Sequence, residues 1–140
     1  MERVGLHEKI LIWILRIGGV MTMLAFPTAL LPASTMAEVH AWLGLGSFPD
    51  QPITDYMARS LSLMYGFHGV LLLVISTDVR RYRKLLGWVA ALSVGLGLAL
   101  LAVDLHAGMP ASWTWSEGPP VFLTGFVMLY LRRSVPPNES

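Results

Sequence analysis

Four long apolar stretches separated by polar segments dominate the sequence. A helix that crosses the hydrocarbon core of a bilayer needs about 20 mainly apolar residues, and the first three stretches reach that length. The fourth is shorter, but Ser116 as an N-cap with Glu117 in the first turn would extend it to a workable span. The pattern therefore predicts an all-α, up-and-down four-helix transmembrane bundle that forms one domain over residues 1–140. The predicted helices cover about residues 10–31, 53–77, 84–105 and 116–133.

Composition supports a membrane protein and excludes several other classes. Hydrophobic residues make up 54% of the chain, and its mean hydropathy is +0.59, above the usual values for a soluble domain of this size. The formal net charge of +1 excludes a globally basic nucleic-acid binder. The sequence contains no cysteine, which excludes disulfides, thiolate metal sites and cysteine nucleophiles.

The placement of Lys and Arg predicts the orientation of the helices. These residues resist translocation when they lie close to a membrane span, so they mark the cytoplasmic side. The loops 32–53 and 105–118 contain neither residue type but carry three acidic residues. We therefore expect both termini to be cytoplasmic and these two loops to be extracytoplasmic. The basic residues on the predicted cytoplasmic side are Arg3, Lys9, Arg80, Arg81, Arg83, Lys84, Arg132 and Arg133.

The first extracytoplasmic loop contains a helix signal of its own. Thr35 and Glu38 have the spacing of a capping box and precede the apolar segment 39–43. Gly44 and Gly46 would end such a helix. The loop is therefore predicted to hold a short helix that lies in the membrane interface.

Small residues recur every four positions in the third predicted helix, at Ala91, Gly95 and Ala99. This spacing lets a second backbone approach closely, as is common between helices in membranes. Gly18 and Gly19 offer a comparable patch on the first helix. These patches are predicted to mediate packing within the bundle or against another membrane subunit.

His68 is the most central polar residue of the predicted spans, and Tyr65 shares its face at a spacing of three. Together they could bind the carbonyl of a quinone or ligate a haem iron, with Arg59 at the outer mouth of the cavity. The structural alternatives are a core histidine that hydrogen-bonds a neighbouring helix, and an Arg59 that pairs with Asp55 one turn earlier. A haem held by two histidines would need a second imidazole at the same depth. The other histidines, His7, His40 and His106, are all predicted near the surfaces.

The predicted outer rim, made of the extracytoplasmic loops and the adjoining helix end, also carries carboxylate and imidazole groups, at Glu38, His40, Asp104 and His106. Such groups are ligands for zinc or non-haem iron, so they form a candidate metal site and a candidate rim of a membrane enzyme. Residues two apart on a helix point in different directions, which argues against convergence. The alternative is a structural rim of caps, salt bridges and loop anchors.

Five short segments carry a resemblance: 42–46 (WLGLG), 56–62 (YMARSLS), 78–82 (DVRRY), 108–110 (GMP) followed by Trp113, and 117–119 (EGP). They look like segments of uncharacterised small four-helix bacterial membrane proteins. In architecture the chain is broadly similar to the DoxX-like proteins, some of which accompany quinone-linked oxidoreductases. The resemblance covers most of the chain and implies a four-helix protein of the bacterial inner membrane. It supplies no catalytic motif and names no cofactor.

Taken together, these features predict a non-enzymatic accessory or structural subunit of a larger membrane complex. Its expected partners are the lipid bilayer and either other membrane subunits or further copies of itself, and no nucleic acid. The alternatives are a binder of quinone, haem or lipid at Tyr65 and His68, and a membrane enzyme that uses the histidine and carboxylate rim.

Overall fold

The computed structural model describes residues 5–136, and every regular element in that part of the chain is an α-helix. Leu24 alone separates the first two helices, so together they form one nearly continuous stretch. Arg3, which contributes to the predicted orientation, lies outside the described residues. The helices are α1 Leu6–Met23, α2 Ala25–Thr28, α3 Ala33–Trp42, α4 Pro52–Thr77, α5 Arg83–Ala107 and α6 Ala111–Arg132.

Within residues 5–136, three stretches are long and apolar enough to cross a membrane. They are Leu6–Thr28, Pro52–Thr77 and Arg83–Ala107, with mean hydropathies of 1.9, 1.6 and 2.2. Helix α6 has 22 residues, but Pro119 and Pro120 lie inside it and its first half is polar, so it does not reach the same hydropathy. The chain is therefore suited to a membrane environment through three of its helices.

Proline, and not a polar side chain, precedes two of the helices. Pro32 precedes α3 with φ −57° and Pro110 precedes α6 with φ −53°, and neither helix has a side-chain hydrogen bond at its N-cap. The capping box predicted at Thr35 is therefore wrong, because α3 begins two residues before it. Similarly, α6 begins at Ala111, so Ser116 lies inside the helix and its hydroxyl donates to the Trp113 carbonyl at 3.0 Å. The fixed φ of proline sets the chain for helix entry at both places.

The chain divides into two compact units, one of residues 1–16 and 74–140 and the other of residues 17–73. In the first unit, α5 and α6 form an antiparallel hairpin that turns at Gly108, which adopts the left-handed conformation with φ 67°. A side chain at that φ is strained, which explains the glycine. Fully buried apolar side chains of this unit include Leu11, Leu15, Ile75, Leu86, Val79 and Val135.

Glycines bring the backbones of α5 and α6 into direct contact. A Cβ added to Gly97 would collide with the Phe122 backbone, and one added to Gly118 would lie 2.8 Å from the Gly97 carbonyl oxygen. Gly125 meets the Ala90 carbonyl in the same way, at 2.7 Å. The hairpin therefore uses the close small-residue packing that is typical of membrane helices.

The second unit contains a similar contact between α1 and α4. A Cβ on Gly19 would lie 2.9 Å from the Gly69 carbonyl oxygen, and one on Gly69 would lie 2.7 Å from the Met23 nitrogen. One turn away along α4, Gly66 accommodates the ring of Phe26, which also meets Phe67 edge-on at 5.2 Å between centroids. The glycine patch predicted on the first helix thus packs against α4.

Candidate functional site

His68 and Tyr65 lie on the solvent-accessible surface of α4, close to the middle of this span-capable helix. The side chain of Tyr65 is 39% exposed, and His68 is also exposed. Within residues 5–136, His68 makes no hydrogen bond or ion pair. In a bilayer this imidazole would therefore face either lipid or another molecule.

The residues around His68 form an apolar row along the exposed surface of α4. Their spacing alternates between four and three, which places them on one side of the helix as in the seam of a coiled coil. We call this row the α4 seam. It contains Met57, Leu61, Met64, His68 and Leu71, all exposed. A single polar residue inside an apolar seam can fix the register of the helix that packs against it.

Arg59 points away from the α4 seam. His68 lies nine positions farther along the helix, which at 3.6 residues per turn places the two side chains on about opposite sides of it. The Arg59 Nε donates to Asp55 Oδ2 at 2.8 Å, and its Nη1 donates to the Ala29 carbonyl at 2.7 Å. The guanidinium thus ties α4 to the end of α2, and it does not share a surface with Tyr65 and His68.

A small cavity of about 230 Å³ lies between the start of α3 and the segment before α4. Ser34, Phe48, Asp50 and Asp55 are among the residues that line it. Asp55 Oδ1 is buried without a hydrogen-bond partner in the described chain, while Oδ2 is held by Arg59. The cavity is therefore acidic on one wall. Its two acidic residues are not fully buried, because Asp50 is exposed and the side chain of Asp55 as a whole is 39% exposed.

In α3, His40 has a structural role. Its Nδ1 lies 3.1 Å from the Gly46 carbonyl oxygen, and its ring meets Phe48 edge-on at 5.4 Å between centroids. These contacts fold the segment after α3 back onto the helix. Glu38, two residues earlier, is exposed.

In α5, Asp104 and His106 have different surroundings. Asp104 is only 4% exposed, and its Oδ2 has no hydrogen-bond partner among residues 5–136. His106 is exposed. A buried carboxylate without a partner is costly, so Asp104 is the polar group of this unit that is least satisfied within the described chain.

The predicted metal site gains no support from the arrangement of these groups. Over residues 5–136, no group of three or more His, Asp or Glu side chains is arranged to hold a metal ion. The site at Glu38, His40, Asp104 and His106 therefore remains a prediction from the sequence.

The ion pair between Glu8 and Arg80 was missed by sequence reasoning. Arg80 Nε donates to Glu8 Oε1 at 2.9 Å and Nη2 donates to Oε2 at 3.0 Å, so the contact is bidentate. Glu8 is 7% exposed. The two residues are 72 positions apart. The charge of Arg80 was used only to predict which side of the membrane its loop faces, so nothing in the sequence linked it to Glu8.

No protein family, curated protein or solved structure matches this chain. The resemblance of the five segments to small four-helix bacterial membrane proteins, and the broad likeness in architecture to DoxX-like proteins, therefore remain expectations from the sequence.

Proposed function

We propose that this protein is a non-enzymatic accessory subunit of the membrane, which packs against a larger membrane protein through the α4 seam. The observation that carries the proposal is His68, a polar side chain exposed near the middle of a span-capable helix without a partner in the described chain. Polar groups at membrane depth are costly when lipid surrounds them, and they are usually directed toward protein. A partner helix that offers a hydrogen-bond acceptor would remove this cost.

The topology that we propose has four spans, with α6 as the fourth and both termini in the cytoplasm of a bacterial inner membrane. The basic residues near the start of α1, between α4 and the first turn of α5, and at the end of α6 support it, because all of them then fall on one side. In this topology α3 lies in the first extracytoplasmic loop, at the interface. Neighbouring helices can compensate for prolines inside a span, which allows α6 to cross despite Pro119 and Pro120.

The composition of the α4 seam favours a protein partner over lipid alone. Met57 and Met64 have flexible, polarizable side chains that adapt to irregular surfaces. These side chains therefore suit the irregular surface of a protein partner.

The test is the mass of the protein purified in mild detergent from the membranes of its source cell. One chain has a mass of 15.4 kDa. The proposal predicts a stable complex that contains a second, larger membrane protein in fixed ratio. His68→Leu should reduce retention of that partner about fivefold, because an interhelical hydrogen bond in a membrane is worth about 1 kcal/mol. Met64→Leu, a nearly isosteric change on the same seam, is the matched control and should retain the partner.

A complex that is unchanged by His68→Leu would contradict the role of the seam. A particle that contains only this chain, at 15.4 kDa or a multiple of it, would contradict the accessory function.

The second candidate function is binding of a lipophilic ligand at Tyr65 and His68. It is favoured by the same exposed position, where an aromatic hydroxyl and an imidazole lie three residues apart on one face. An optical spectrum of the purified chain shows whether it carries haem. Solvent extraction followed by mass spectrometry shows whether it carries quinone. A stoichiometric ligand that is lost in His68→Leu, on a chain without a protein partner, would favour this alternative.

A further inference from the structure

A second open feature of the protein lies where α5 begins and α6 ends, among the basic residues that the sequence places on the cytoplasmic side. A groove of about 360 Å³ is lined there by Lys84, Gly87, Trp88, Ala91 and Arg132. The first four residues have the spacing of one face of a helix, and Arg132 forms the opposite wall from α6. The groove thus combines two cationic groups, one large aromatic ring and a floor of small residues.

The guanidinium of Arg132 is held in position by backbone contacts. Its Nε donates to the Arg83 carbonyl at 2.7 Å, which crosses from α6 to the start of α5. The guanidinium also lies over Gly87, because a Cβ added there would come within 2.6 Å of the Arg132 Cζ. These contacts occupy one donor group and leave Nη1 and Nη2, whose N–H groups suit a phosphate.

The two cations of the groove are not neutralised within the described chain. Neither Lys84 nor Arg132 forms an ion pair with a carboxylate in residues 5–136. By contrast, Arg80 in the preceding loop is paired with Glu8. The groove therefore carries two positive charges that are available to an anion.

The other walls of the groove indicate that the anion is attached to an apolar chain. Trp88 is 70% exposed, and tryptophan prefers the boundary between headgroups and hydrocarbon. Ala91 lines the groove, and Gly95, one turn farther along α5, extends an exposed row of small residues beyond it. A flexible acyl chain can lie against such a row, while a free inorganic anion would gain nothing from it.

We propose that this groove binds one anionic phospholipid. Lys84 and Arg132 hold the phosphate, Trp88 lies at the level of the glycerol backbone, and the first part of an acyl chain lies over Ala91 and Gly95. Basic pockets between membrane helices are known to bind anionic headgroups in this way. The inference is independent of the α4 seam, since it uses different residues and a different ligand.

Native mass spectrometry of the purified chain, titrated with phosphatidylglycerol, phosphatidylcholine or inorganic phosphate, tests the proposal. We expect one phosphatidylglycerol per chain, retained in preference to phosphatidylcholine. Lys84→Gln should weaken its binding about fivefold, the value for one charge near an anionic lipid. Arg133→Gln is the matched control, because it removes the same charge one residue beyond Arg132 but outside the groove, and it should leave binding unchanged.

The shape of the groove is tested by a second pair of variants. Ala91→Leu fills the floor beyond Trp88 and should weaken phosphatidylglycerol binding, whereas Ala102→Leu makes the same change on an exposed part of α5 about 16 Å farther along. Helix content by circular dichroism verifies that all four variants fold.

Equal retention of the two lipids, or equal loss in Lys84→Gln and Arg133→Gln, would overturn the proposal. Displacement of the lipid by inorganic phosphate, with Ala91→Leu without effect, would also overturn it and would indicate a site for free phosphate.

Discussion

Helix α5 carries two rows of small residues that have opposite surroundings. The row through Ala90 and Gly97 packs against the backbone of α6, so closely that Gly97 has no room for a Cβ. The row through Ala91, Gly95 and Ala99 is exposed, with nothing within 4 Å of a Cβ on Gly95. The comparison shows that small residues at helical spacing permit close packing but do not specify which row is used inside the molecule.

Polar side chains of the protein also differ in whether their partners lie inside the described chain. Glu8 and Arg80 satisfy each other inside the first unit through two hydrogen bonds. His68, on α4 in the second unit, has no partner within the described residues. The paired groups contribute to folding, whereas the exposed imidazole is the one that an external partner would satisfy.

The largest effect is expected for Glu8→Gln. The substitution leaves the Arg80 guanidinium largely buried without its counter-charge, and loss of one partner from a buried pair costs about 3 kcal/mol. Reversible unfolding of the detergent-solubilised protein measures the change. The double variant with Arg80→Gln should recover part of the loss, and a loss in the double variant equal to the sum of the losses in the two single variants would show that the two charges are not coupled.

A smaller loss is expected for Gly97→Ala on the packed row. The added methyl group collides with the Phe122 backbone, so the helices must separate, at a cost of about 2 kcal/mol. The measurement is the same unfolding transition. A variant as stable as the wild type would show that α5 and α6 are not in backbone contact at this position.

The matched change on the open row, Gly95→Ala, is expected to have the smallest effect and the opposite sign. Alanine has a higher helix propensity than glycine, by up to about 1 kcal/mol, and nothing in the described chain obstructs the methyl group. The midpoint of unfolding should stay constant or rise. A clear fall would show that this row is packed within the monomer.

Sequence reasoning was successful for the helices whose presence follows from the length and apolar content of a single stretch. Length and apolar content identified the all-helical class and, of the four predicted spans, the three that are long and apolar enough to cross a membrane, because both properties are local. The fourth span stays a prediction. The helix starts at Ala33 and Ala111 were missed, since the prolines before them were given less weight than Thr35 and Ser116.

Tertiary features were less predictable. The bidentate contact between Glu8 and Arg80 and the groove of Lys84 and Arg132 depend on which residues distant in sequence become neighbours. His68 lies near the middle of α4, but its exposure depends on how the helix is rotated, which the sequence does not determine. Arg59 was predicted at the outer mouth of a cavity shared with Tyr65 and His68, but it lies on about the opposite side of α4 and reaches the Ala29 carbonyl.

The central claim is that the α4 seam is covered by another protein in the membrane. Photo-crosslinking in membranes of the source cell tests it most directly. Benzoylphenylalanine replaces Met64 on the seam in one variant and the exposed Phe126 on α6 in the control variant. We expect one defined protein adduct from position 64, none from position 126, and about fivefold less of the adduct when His68→Leu is added. Lipid adducts alone from both positions would contradict it.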